Sequence, residues 1–111
     1  MKSPWSHNDP INLSDEVETD EGWTFHAVLD RDEDYSRAVS FRLSWADYNL
    51  WSPAGADRPA DVAKAVLRIF MESMELEAIP TKLDAARIRR LVPDADDRIP
   101  AAIRTPPSNS S

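Results

Sequence analysis

Apolar side chains recur at every second position over Trp23–Leu29 and again over Val39–Trp45 and, from Val62 onward, at three- and four-residue spacing; this one change of period most limits the fold. Trp23, Phe25, Ala27 and Leu29 alternate with Thr24, His26, Val28 and Asp30, and Val39, Phe41, Leu43 and Trp45 alternate with Ser40, Arg42 and Ser44. Each run fits a strand with one buried face. The polar run Arg31-Asp32-Glu33-Asp34 between them predicts an antiparallel hairpin, 23–30 with 37–45, closed by a loop longer than the tight two-residue types. Two strands alone are marginal in water, so a third short strand is expected, with Ile11 to Leu13 and Tyr48 to Trp51 as candidates.

Pro59 suits a first helical turn and Asp61 complements the positive end of the helix dipole. Val62, Val66, Ile69, Phe70 and Ser73 then make one stripe, widened by Ala63, Leu67 and Met74. A long helix over about 59–77 is predicted, followed by a short one over about 84–92, capped by Asp84 and turning Ile88, Leu91 and Val92 inward. The fold class is therefore α+β, a small antiparallel sheet covered by the two helices.

Charge divides the chain. Met1 to Tyr35 holds 10 acids and 2 bases, whereas Ser36 to Ser111 holds 10 acids and 11 bases. Asp9 to Glu21 has only Ile11, Leu13 and Val17 as sizeable apolar residues, too few to offset the entropy of ordering, so 1–21 reads as an acidic arm. Residues 99–111, with Pro100, Pro106 and Pro107 and a Ser-Asn-Ser-Ser end, read as a Pro/Ser-rich tail, leaving 22–98 as one domain.

A net charge of −7 argues against a general phosphate-coating or polybasic membrane-binding protein. The chain has no Cys, which removes disulfides, thiolate metal sites and cysteine nucleophiles. Gly22 and Gly55 are its only glycines, so no phosphate-cradling glycine loop can be written and no cofactor is expected. With no apolar stretch long enough for a span or a leader, a cytoplasmic location is expected.

The succession Trp45-Ala46-Asp47-Tyr48-Asn49-Leu50-Trp51, Pro59, Val62 to Phe70, Ile79-Pro80-x-x-Leu83-Asp84 and Ile88-Arg89-Arg90 resembles a group of small uncharacterised bacterial proteins. In that group a strand is followed by Asp-Tyr-x-x-Trp, a helix, Leu-Pro-x-x-Phe-Asp and a short helix. The likeness runs from Phe41 to Ile99, with Leu83 in place of the aromatic. It implies a compact bacterial domain and carries no activity.

Candidate chemistry is sparse. Asp30 to Tyr35 begins like a calcium loop, but Tyr35 and Phe41 occupy the positions that need Gly and a bidentate Glu, so no metal site is expected. His7 and His26 are the only imidazoles; His7 lies in the arm and His26 on the polar side of a strand. No serine has a nucleophile elbow around it. Asp47, set among Trp45, Tyr48 and Trp51, is the carboxylate most worth locating, with turn or capping hydrogen bonds as its ordinary role.

Arg87, Arg89 and Arg90 form the basic concentration, able to grip phosphates or an acidic surface unless the acidic arm or Glu72, Glu75 and Glu77 neutralise them. Trp45, Tyr48 and Trp51 form the aromatic one, with Trp45 expected in the core and Trp51 the more exposed. These features favour a protein-interaction or regulatory domain that binds a protein partner or itself, with Tyr48, Trp51, Arg87, Arg89 and Arg90 as the contact residues. A homodimer through edge-strand pairing or the helix stripe would complete the small sheet. The alternatives are a nucleic-acid-associated regulator using the arginines and an arm that imitates a phosphate backbone, with an enzyme last. A deep polar cleft with converging ionisable groups would overturn the preference.

Overall fold

The computed structural model describes residues 11–32 and 35–104, so the readings placed on His7, on Glu33 and Asp34, and on Pro106 and Pro107 lie outside the described residues. β1 (Ile11–Thr19), β2 (Gly22–Asp32) and β3 (Tyr35–Ser44) form an antiparallel meander. β4 (Lys82–Asp84) joins β3 in parallel, giving the order β1-β2-β3-β4. The helices are α1 (Trp45–Trp51), α2 (Pro59–Ser73), α3 (Ile88–Leu91) and α4 (Ala95–Arg104), with 3-10 turns at Leu76–Ala78 and Ala85–Arg87. The architecture is α+β, a mixed sheet packed against helices. No helix among the described residues is long and apolar enough to cross a membrane.

The period-two pattern sets the sheet's inner face. Trp23, Phe25, Ala27 and Leu29 of β2 lie beside Val39, Phe41 and Leu43 of β3, all buried, with Phe25 directly opposite Phe41. Pro59 occupies the first turn of α2, whose Val62, Val66, Leu67 and Phe70 are fully buried against this face. Each such side chain contributes about 1.5–3 kcal/mol of hydrophobic stabilisation. Gly22 makes the tight entry to β2 possible: a Cβ there would meet the Leu43 carbonyl oxygen at 2.1 Å. Thr19 Oγ1 accepts from the Glu21 and Gly22 amides and closes the preceding turn.

Several boundaries differ from the sequence reading, each for a local reason. The hairpin strands extend to pair Asp32 with Tyr35, so only residues 33 and 34 lie between them instead of a longer loop. The third strand expected from Ile11 to Leu13 is present and runs on to Thr19, so this part of 1–21 is sheet and not an arm: Ile11 is fully buried opposite Leu29 and Leu13 is half-buried opposite Ala27. Tyr48 to Trp51 is helical and not a strand: Ser44 caps α1 by accepting from the Asp47 amide. That switch reverses the two tryptophans. Trp45 leaves the strand phase and is 39 % exposed, whereas Trp51, on the inner side of α1, is 2 % exposed.

The long helix ends at Ser73, where Met74 turns to extended backbone after donating to the Phe70 carbonyl. The expected second helix resolves into β4, a 3-10 turn capped by Asp84, and α3, whose Leu91 faces outward at 42 % exposure while Ile88 and Val92 are buried. Ile99 is fully buried and belongs to α4, so residues 99–104 are core helix and not tail. Pro100 forfeits one intrahelical hydrogen bond within α4.

Candidate functional site

Three helices meet at one polar cluster. In α1, Asp47 and Trp51 stand four residues apart on the inward side, and both are buried. Arg89 reaches them from α3, and Asp96 closes the group from the first turn of α4. Arg89 Nη2 donates to Asp47 Oδ1 at 2.8 Å and its Nε to Asp96 Oδ1 at 3.0 Å. The same Asp96 oxygen accepts from Trp51 Nε1 at 2.9 Å. The guanidinium carbon lies 4.9 Å from the Trp51 ring centroid, within cation–π range.

The Asp47 side chain is 8 % exposed, so this pair is largely desolvated at its acidic end. The Asp96 carboxyl is held below the usual carboxylate range, chiefly by the Trp51 N–H against the opposing effect of desolvation, and further by Arg89. Burial lowers the Arg89 pKa, but the hydrogen bonds to Asp47 and Asp96 and their negative charge outweigh it and raise the pKa overall. The cluster is a latch: fork geometry lets one guanidinium tie two carboxylates and one indole across three elements.

Behind Trp51 a cavity of about 170 Å³ opens between the segment after α1 and the end of α4, lined by Ser52, Asp57, Pro100 and Ile103 among others. Its polar groups are engaged with one another. Ser52 Oγ donates to Asp57 Oδ2 at 2.7 Å, and Tyr48 Oη donates to the Asp57 carbonyl. The aromatic residues at this end stack across the sheet margin, with Trp23 and Trp45 centroids 4.4 Å apart and Trp23 and Tyr48 5.1 Å apart.

The sequence-derived candidates therefore separate. Trp51 and Arg89 are brought together, Arg89 about one third exposed, whereas Tyr48 is buried against Trp23 and the Asp57 carbonyl. Arg87 and Arg90 are exposed and have no ion pair among the described residues. Arg89 is neutralised by Asp47 and Asp96 and not by the acidic strand; of the α2-proximal acids, Glu72 takes Arg98 at 2.7 Å. Asp47 receives a guanidinium and not turn amides. His26 stands exposed on the open sheet face, opposite Ser14 and Ser40. The α2 stripe is consumed inside the fold, which removes it as a dimer surface. Asp96 was not legible as a partner; its signal was an acidic first turn after Pro93, obscured by Pro100 in the same segment.

Among the described residues no group of three or more acidic or imidazole side chains is placed to hold a metal ion. In comparisons with known proteins, the chain matches no family model, no curated protein and no solved structure.

Proposed function

We propose that this chain is a small cytoplasmic protein-binding domain that acts by docking and carries out no reaction of its own. One observation carries the reading: the converging ionisable groups satisfy each other in the latch, while large apolar side chains remain on the adjoining outer surface. Asp47, the buried carboxylate that acid–base chemistry would need free, is occupied by Arg89. Trp45 at 39 % and Leu50 at 50 % exposure lie on α1, and Leu91 at 42 % lies on α3 next to Arg90. Apolar and aromatic anchors rimmed by arginine have the composition of protein-binding surfaces. The nucleic-acid alternative is weakened because Arg89 is withdrawn from the basic cluster, leaving two free arginines against a chain of net charge −7.

A photoreactive residue placed at Leu50 or Leu91 in the full chain tests the proposal in living cells. A discrete protein adduct is expected from those positions and none from His26 on the open sheet face. Leu50→Ser with Leu91→Ser should leave the thermal midpoint unchanged and abolish the adduct formed from a probe at Trp45. Equal labelling from all positions, or an adduct indifferent to the double substitution, refutes it.

A further inference from the structure

The two charged regions of the sequence end up on opposite edges of the sheet. β1 carries Asp15, Glu16 and Glu18, followed by Asp20 and Glu21, and it is the edge strand on one side. β4 is the edge strand on the other, and the chain leaves it directly into the turn and helix that present Arg87 and Arg90. Three inter-strand spacings separate the edges, about 14 Å, well beyond the Debye length of about 8 Å at physiological salt. The acids of β1 therefore do little to neutralise the arginines of their own chain. Glu21 is taken by Arg42, and Glu16 feels Arg58, itself paired with Asp61. Asp15, Glu18 and Asp20 have no ion pair among the described residues, and neither have Lys82, Arg87 and Arg90.

Each charged segment also carries one exposed apolar side chain. Val17 is 53 % exposed and sits opposite Thr24 on the open face of the sheet, with Glu16 and Glu18 flanking it in sequence. Leu91 is 42 % exposed, four residues after Arg87 and next in sequence to Arg90, at the exposed end of the same short helix. The surfaces are complementary in sign, and complementary charge is what steers two proteins together and fixes their register. Strand addition is a poor route for β1, since its acids, the shift in pairing between Ser14 and Val17, and Asp15 at φ 55° all blunt the edge. The contact is one of side chains.

Resting on the docking reading above, we infer that the partner is a second copy of this chain, the acidic β1 edge of one copy seating on the Arg87–Arg90–Leu91 face of the next. Because the two patches differ, the contact is heterologous, and it propagates unless the rotation between copies closes a ring. It is weakened by salt and strengthened by concentration.

Light scattering of the full chain across concentration, at low salt and at about 0.5 M salt where the Debye length falls to a few ångströms, provides the test. The mass is expected to rise with concentration at low salt and return to the monomer at high salt. Arg87→Glu with Arg90→Glu, and separately Glu16→Lys with Glu18→Lys, should each weaken association by about tenfold or more, all four sites being exposed. Mixing charge-neutral versions instead, Arg87→Ala with Arg90→Ala against Glu16→Gln with Glu18→Gln, should give a one-to-one pair that grows no further, since each retains the patch the other lacks. A wild-type chain that stays monomeric throughout, or arginine variants that associate like the wild type, overturns the inference. Either result leaves the cross-linking experiment at Leu50 and Leu91 to decide the docking reading separately.

Discussion

Replacing Arg89 with Ala should be among the most damaging single changes to this fold, although the residue is charged and one third exposed. Removing one partner of a fully buried ion pair costs about 3–5 kcal/mol, because the other charge is left without compensation. Water reaching Arg89 reduces that figure to about 2–3 kcal/mol for the Asp47 contact. The Trp51 stacking adds about 0.5–1 kcal/mol and the half-exposed Asp96 contact less than about 1 kcal/mol. The expected loss is about 3–4 kcal/mol, a large part of the 5–15 kcal/mol typical of a small domain, with a fall in Tm on the order of 15 °C. Urea unfolding followed by tryptophan fluorescence measures it, with Trp51 at the contact reporting directly. Arg89→Lys should retain charge and lose the fork, costing about half as much. The double-mutant cycle with Asp47→Asn should show coupling above about 1 kcal/mol. Arg87→Ala and Arg90→Ala, equally basic and exposed, should stay within about 0.5 kcal/mol of wild type. An Arg89→Ala chain as stable as those controls would refute the latch as a stabilising element.

Ile11→Ala and Ile99→Ala should each cost about 2–5 kcal/mol in urea unfolding, because both side chains are fully buried at opposite ends of the chain; a loss below about 0.5 kcal/mol would mean that these segments are peripheral. Gly22→Ala sets a methyl group against the Leu43 carbonyl oxygen, a backbone atom that cannot swing away, and should lower stability by about 2–3 kcal/mol. The Asp96 carboxyl is depressed in the fold, so its contribution is fully present above the unfolded value of about 3.9 and is lost as pH falls through the lower folded value. Stability measured from pH 6 to 2 should therefore fall less steeply in Asp96→Asn than in wild type; identical acid slopes would contradict the assignment.

Legibility in the sequence followed the strength of the local pattern. Trp23 to Leu29 and Val39 to Leu43 each alternate cleanly, and Val62 to Phe70 keeps a helical stripe over two turns, so these could be placed from residues alone. β1 was legible only as a candidate at Ile11 to Leu13, because its burial is carried by that end: Ile11 packs opposite Leu29, while Asp15 to Glu18 runs exposed along the edge. A composition average over Asp9 to Glu21 sees the acids and misses the anchor. β4 is three residues long and parallel, paired only because Leu83 comes to lie beside Phe41, a contact forty-two positions away in the chain. At Trp45 the error was one of phase: extrapolating the strand period by one step put this ring inside, whereas the Ser44 cap starts a helix and gives the interior to Trp51.

The arginine cluster shows most clearly what spacing alone leaves undecided. Arg87, Arg89 and Arg90 are chemically equivalent as a run, yet α3 is so short that one residue of rotation sends Arg89 toward α1 and its neighbours toward solvent. Its fate depends on Asp47 and Asp96, forty-two residues before it and seven after, and on an indole expected to be the more exposed of its pair. What made the middle arginine unavailable to a ligand is thus the tertiary meeting of α1, α3 and α4. The same meeting leaves Arg87, Arg90 and Leu91 outward as a set, so the latch that stabilises the fold also defines the surface on which docking is proposed.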